Sequence, residues 1–73
     1  MVDVTVPKKD LLIKYGVQLI SLHLGDMTGD LYREFYKNKN NGIIITSLRE
    51  ILSEVIGPAK ADYEMKKLLN KIE

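Results

Sequence analysis

The chain has no cysteine among its 73 residues. Disulfides, thiolate metal centres and thiol catalysis are thereby excluded, and the composition fits a reducing, cytoplasmic setting. Charge of one sign is also missing, because 11 lysines and arginines face 10 aspartates and glutamates for a formal net charge of +1. A nearly neutral chain has no strong field with which to collect nucleic acid or an anionic lipid surface. Long apolar runs are absent as well. The longest uninterrupted ones, 11–13 and 43–45, are three residues each, against the roughly 20 that a membrane-spanning helix needs. The opening MVDVTVPKKD has no basic stretch followed by an apolar one, so no secretion leader is expected.

A chain of this length has room for one domain. Such a domain buries only about 60% of the surface its unfolded chain exposes, which leaves its core stabilisation close to the entropy cost of ordering it. With disulfides and thiolate metal sites removed, a partner subunit is the remaining reinforcement.

What the sequence does have is an unusually apolar stretch over 11–27. On a wheel of 100° per residue its leucines, isoleucines, valine, tyrosine and methionine cover roughly two-thirds of the circumference, leaving Lys14, Gln18, Ser21 and Gly25 as the polar strip. A helix that apolar must be wrapped on several sides, by its own chain or by a second copy. The spacing predicts helix 1 over 8–24, with Gly16 inside it at a cost of about 1 kcal/mol relative to alanine.

Ahead of it, Val2, Val4 and Val6 alternate with Asp3 and Thr5 before Pro7, the period of an extended arm. Behind it, the segment 25–29 with its two glycines predicts a break, Thr28 an N-cap, and 30–37 a short helix 2. The apolar side of helix 2 is aromatic, formed by Leu31, Tyr32, Phe35 and Tyr36, with Tyr32, Phe35 and Tyr36 expected in the core. Residues 38–42, Asn-Lys-Asn-Asn-Gly, predict a loop. The triple isoleucine at 43–45 favours an extended segment, for which the 2–6 arm is the obvious partner. Ser47 with Glu50 three residues on has the spacing of a capping box and predicts the start of helix 3 there. Gly57 and Pro58 end helix 3 and open helix 4, and the two form a helical hairpin. No internal repeat is evident.

Candidate chemistry is sparse. His23, the single histidine, falls within the apolar arc of helix 1 and is expected to be buried or interfacial rather than a base or a metal ligand. Asp26, Thr28 and Asp30 have the spacing that opens a calcium loop, but Leu31 stands where its glycine belongs and Lys37 where its glutamate belongs. Gly25 and Gly29 lack the rest of a phosphate loop.

The sequence thus predicts a mainly α, small four-helix bundle-like domain over 8–73, with an extended arm over 1–7 that pairs with 43–46. The function expected is non-catalytic: an assembly or protein-interaction module, a homodimer or a partner of another protein, joined through helix 1. Leu12, Gly16, Leu19, Ile20, His23 and Met27 are the interface residues expected. No catalytic group, metal or cofactor is expected. The alternative is a small DNA-binding regulator with a helix-turn-helix at 48–69, whose second helix offers Lys60, Lys66 and Lys67. Asp62 and Glu64 interrupt that basic surface, and the electrostatic footprint of DNA binding is missing.

Overall fold

The computed structural model describes residues 8–72, and the expected 1–7 arm lies outside the described residues. Four helices make up nearly all of them: α1 (Lys8–Leu24), α2 (Asp26–Tyr36), α3 (Asn41–Ile56) and α4 (Pro58–Ile72). No strand occurs among the described residues. The protein is a mainly α, four-helix domain.

α1 lies at the centre and packs on each of the other three helices, α3 and α4 pack on one another, and α2 packs extensively on α1 alone. Much of the wrapping that α1's apolar circumference demands therefore comes from its own chain, while Leu22 and Leu24 near its C-terminal end stay 75% and 42% exposed. Leu12, Val17 and Ile20 of α1 join Ile44, Leu48 and Leu52 of α3 and Ala61, Met65 and Leu68 of α4 in one buried cluster. α2 adds Tyr36 to it, fully buried. A cluster of this kind is the main favourable term for so small a domain.

Three expectations about helix boundaries are corrected. α2 begins at Asp26, not at 30, and Thr28 is not its cap. Gly25 alone joins α1 to α2, at φ 96 and ψ 159, a region that is essentially glycine's own. Gly29 lies inside α2 where that helix crosses α1, and a Cβ on it would collide with Ser21 and touch Val17. The second correction concerns 43–46, which is not a strand but part of α3. Burial of Ile44 outweighs the fraction of a kcal/mol that a β-branched residue costs in a helix. The third concerns Ser47, which is mid-helix. Asn40 caps α3 instead, its Oδ1 accepting from the Ile43 N–H at 2.9 Å.

The boundary at Gly57 and Pro58 is as expected. Gly57 sits at φ 90 and ψ 154, nearly the same conformation as Gly25. The resemblance extends to much of the burial pattern of the two hairpins but not to their residue types. An offset of 32, from Gly25 to Gly57, carries Leu12, Gly16 and Ile20 onto Ile44, Leu48 and Leu52, and Gly29 and Tyr36 onto Ala61 and Leu68; every one of these is buried, whereas Val17 and Met65 fall on exposed Arg49 and Arg33. The two glycines donate to equivalent carbonyls, Gly25 to Ser21 at 2.9 Å and Gly57 to Ser53 at 3.0 Å. The fold is thus two helix-glycine-helix units of one plan. Where α1 crosses α3, Gly16 meets Leu48, its own counterpart, so closely that a Cβ would lie 2.6 Å from a Leu48 methyl.

Candidate docking face on the second helix

The units differ in how their second helices are covered. α4 packs on both α1 and α3, whereas α2 is held to α3 chiefly at its C-terminal end. There the Tyr36 hydroxyl and Ser47 Oγ share a hydrogen bond of 2.8 Å. Burial pushes the Tyr36 hydroxyl's pKa up, the Ser47 bond opposes that, and Tyr32 nearby adds to it. Lys9 Nζ, from the start of α1, donates to the Lys37 carbonyl at 2.7 Å, a cation at the negative end of α2. Beyond this end a groove opens between α2 and α3, lined by Phe35, Ile43, Ser47 and Glu50 among others. Its volume is about 620 Å³, against about 170 Å³ for the α1–α4 groove that corresponds to it.

α2 is the most strongly two-sided of the helices, yet only Gly29 and Tyr36 are buried in it. Its aromatic side is split. Tyr36 goes into the core and Tyr32 half in, while Phe35 remains 48% exposed and Leu31 67%. One turn earlier Met27 is 81% exposed. Met27, Leu31 and Phe35 are spaced i, i+4, i+8 and so form a row along one face. Phe35 is steadied at the end of that row by Tyr32, edge-on with ring centroids 6.3 Å apart, and by the Lys39 ammonium 4.9 Å above its ring.

The second hairpin serves as an internal control. The counterparts of Met27, Leu31 and Phe35 are Ala59, Tyr63 and Lys67, all exposed. A helix-glycine-helix unit of this plan therefore folds with a small, an amphipathic and a charged residue at those three places. The apolar row on α2 is not something the hairpin needs.

The interface expected on helix 1 separates into two groups. Leu12, Gly16 and Ile20 are buried within the chain's own core and remain available to no second molecule. Leu19 is half-buried, and His23 and Met27 are exposed; of the two places expected for His23, buried or interfacial, the chain's own core is not the one it takes. Only Met27 coincides with the exposed row. Phe35, which the spacing with Tyr32 and Tyr36 places in the core, is instead half exposed. The carboxylates spaced one residue before Leu31 and Phe35 offered a signal that α2's arc was wider than one neighbour covers.

Lys60, Lys66 and Lys67 are all exposed on α4. Lys67 lies 4.0 Å from Glu64, and Asp62 lies 3.6 Å from Arg49, so carboxylates are interleaved with these lysines as the sequence suggested. Among the described residues no group of three or more histidines or carboxylates is placed to hold a metal ion, and no helix is long and apolar enough to cross a membrane.

Fold and site together define a small helical domain with an apolar row left open on α2 and two leucines, Leu22 and Leu24, exposed at the end of α1. Comparison with protein-family models, with curated proteins and with solved structures found no match.

Proposed function

We propose that this protein is a non-catalytic interaction module that docks another protein chain on the outer face of α2. The observation that carries this reading is the row Met27, Leu31 and Phe35, exposed in a molecule whose equivalent row is Ala59, Tyr63 and Lys67. Large apolar side chains lined up in water are unfavourable for a monomer and mark contact surfaces. The face also has the geometry by which an amphipathic helix is read, with anchors one turn apart beside a groove. Docking through α2 is favoured over docking through α1, as a homodimer or otherwise, because three of the five α1 residues in question, Leu12, Gly16 and Ile20, are interior. On its cysteine-free composition we place the module in the cytoplasm.

Photo-crosslinking in cells tests the reading. A photoreactive residue at position 31 is expected to yield discrete adducts that disappear when Met27→Glu is added, while the same residue at position 63, its counterpart on α4, yields none. Adducts at neither position, or the same adducts at both, would contradict it. An adduct of twice the chain's mass would identify the partner as a second copy.

A further inference from the structure

The two helices that flank the groove are the acidic ones. α2 carries Asp26, Asp30 and Glu34 against Arg33, and α3 carries Glu50 and Glu54 against Arg49, whereas α1 and α4 have an excess of lysine. The cations on this side are already engaged. Arg33 is bonded to Asp30, Lys37 to Glu34 at 2.9 Å, and Arg49 to Asp62 on α4. Lys39 lies over the Phe35 ring. Asp26, Glu50 and Glu54 are exposed and have no ion-pair partner among the described residues.

Their placement matters more than their number. Asp26, Asp30 and Glu34 each immediately precede a member of the row, Met27, Leu31 and Phe35. At 100° per residue they run along the border of the row that faces away from α3. On the other border Glu50 lines the groove together with Phe35 and Ile43, and Glu54 follows one turn later on α3. Asp30 and Glu34 are paired with Arg33 and Lys37 on that border, so the unpaired carboxylates beside the open row are Asp26 on one side and Glu50 and Glu54 on the other.

Resting on the docking role of α2, we infer that the occupant is an amphipathic helix of a different protein, its apolar stripe edged by lysine or arginine. A second copy is the poorer match. An antiparallel two-fold pairing of α2 with itself sets the unpaired Glu50 and Glu54 side against its own mate, and a parallel one sets it against the side of the unpaired Asp26. Like charges juxtaposed across an interface suppress association, and complementary ones select and speed it.

The test uses two synthetic helical peptides of about 18 residues, a length at which a helix can persist. Both have the same leucine stripe at i, i+4, i+7, one edged with lysine and the other with glutamate, and each is titrated into the isotope-labelled protein. The lysine-edged peptide is expected to move the amide resonances of Met27, Leu31 and Phe35 and to bind at least about tenfold more tightly than the glutamate-edged one, with the difference shrinking as salt is raised. Leu31→Glu, at an exposed position, should abolish the binding, and Glu50→Lys should weaken it severalfold. Equal affinity for the two peptides, shifts centred on α4, or a concentration-dependent dimer that Leu31→Glu dissolves would overturn the inference. If neither peptide binds while crosslinks from position 31 persist, the basic edge is wrong and the docking role stands; if those crosslinks are missing too, both are wrong.

Discussion

Ser47 allows the structure and the sequence pattern to be set against each other quantitatively. Its spacing to Glu50 is that of a capping box, and loss of such a cap costs about 1 kcal/mol whatever residue stands at position 36. In the structure Ser47 is in the second turn of α3 and bonds the Tyr36 hydroxyl at 2.8 Å. A hydrogen bond of this kind contributes about 1 kcal/mol. Alanine at a mid-helix site is favoured over serine by about 0.5 kcal/mol. Ser47→Ala in the native background should therefore cost only about 0.5 kcal/mol. In a Tyr36→Phe background, where the bond is already gone, the same change should stabilise by about 0.5 kcal/mol. The sign reverses, and the coupling in the cycle is about 1 kcal/mol. In a domain of this size that corresponds to a swing in melting temperature of roughly 4–8 °C, well within reach of thermal unfolding followed by circular dichroism. Equal destabilisation by Ser47→Ala in both backgrounds would refute the bond and restore the cap.

The same tyrosine predicts a pH effect. Because burial raises the Tyr36 pKa in the folded state, its contribution is fully present below the unfolded value of about 10 and is lost as pH rises through the folded one; Tyr36→Phe should flatten the alkaline fall in melting temperature. Gly16→Ala tests the crossing of α1 and α3: helix propensity alone would stabilise by about 1 kcal/mol, but the 2.6 Å approach to Leu48 adds an overpacking cost of about 1–3 kcal/mol, so urea unfolding should show no gain and a loss of up to about 2 kcal/mol. Asn40→Ala should cost about 1 kcal/mol as the true cap of α3, measured the same way. Gly57→Ala, at φ 90, should cost about 1–3 kcal/mol for a conformation alanine resists; unchanged unfolding curves would show that the joint relaxes.

What the sequence made legible was local. The period of α1 and the Gly57–Pro58 punctuation sit within a few residues of what they specify, and the C-terminal end of α1 and the α3–α4 joint follow from them. The misplaced boundaries depend on partners far along the chain. Gly29 looks like a breaker until Val17 and Ser21 are seen against it, and the 43–45 isoleucines look extended until Ile44 is placed in the core. The apolar excess of α1 was read correctly as needing cover, but a wheel does not say whether the cover is the same chain or another. Three neighbouring helices supply most of it, leaving Leu22 and Leu24 exposed at its end, and a second uncovered face lies on α2, where one period contains both Tyr36 of the core and Leu31 and Phe35 of the surface. The likeness of the two hairpins is one of layout, in burial and in two glycine joints, and leaves little trace in residue types.

The central claim is that the α2 row serves binding and not folding. The most direct measurement is the amide spectrum of a Met27→Gln, Leu31→Gln double variant titrated with the lysine-edged peptide, since one spectrum reports fold and binding together. A native spectrum that the peptide no longer moves is the expected result. A collapsed spectrum, placing the row in the core, or a native spectrum with undiminished shifts would contradict the account.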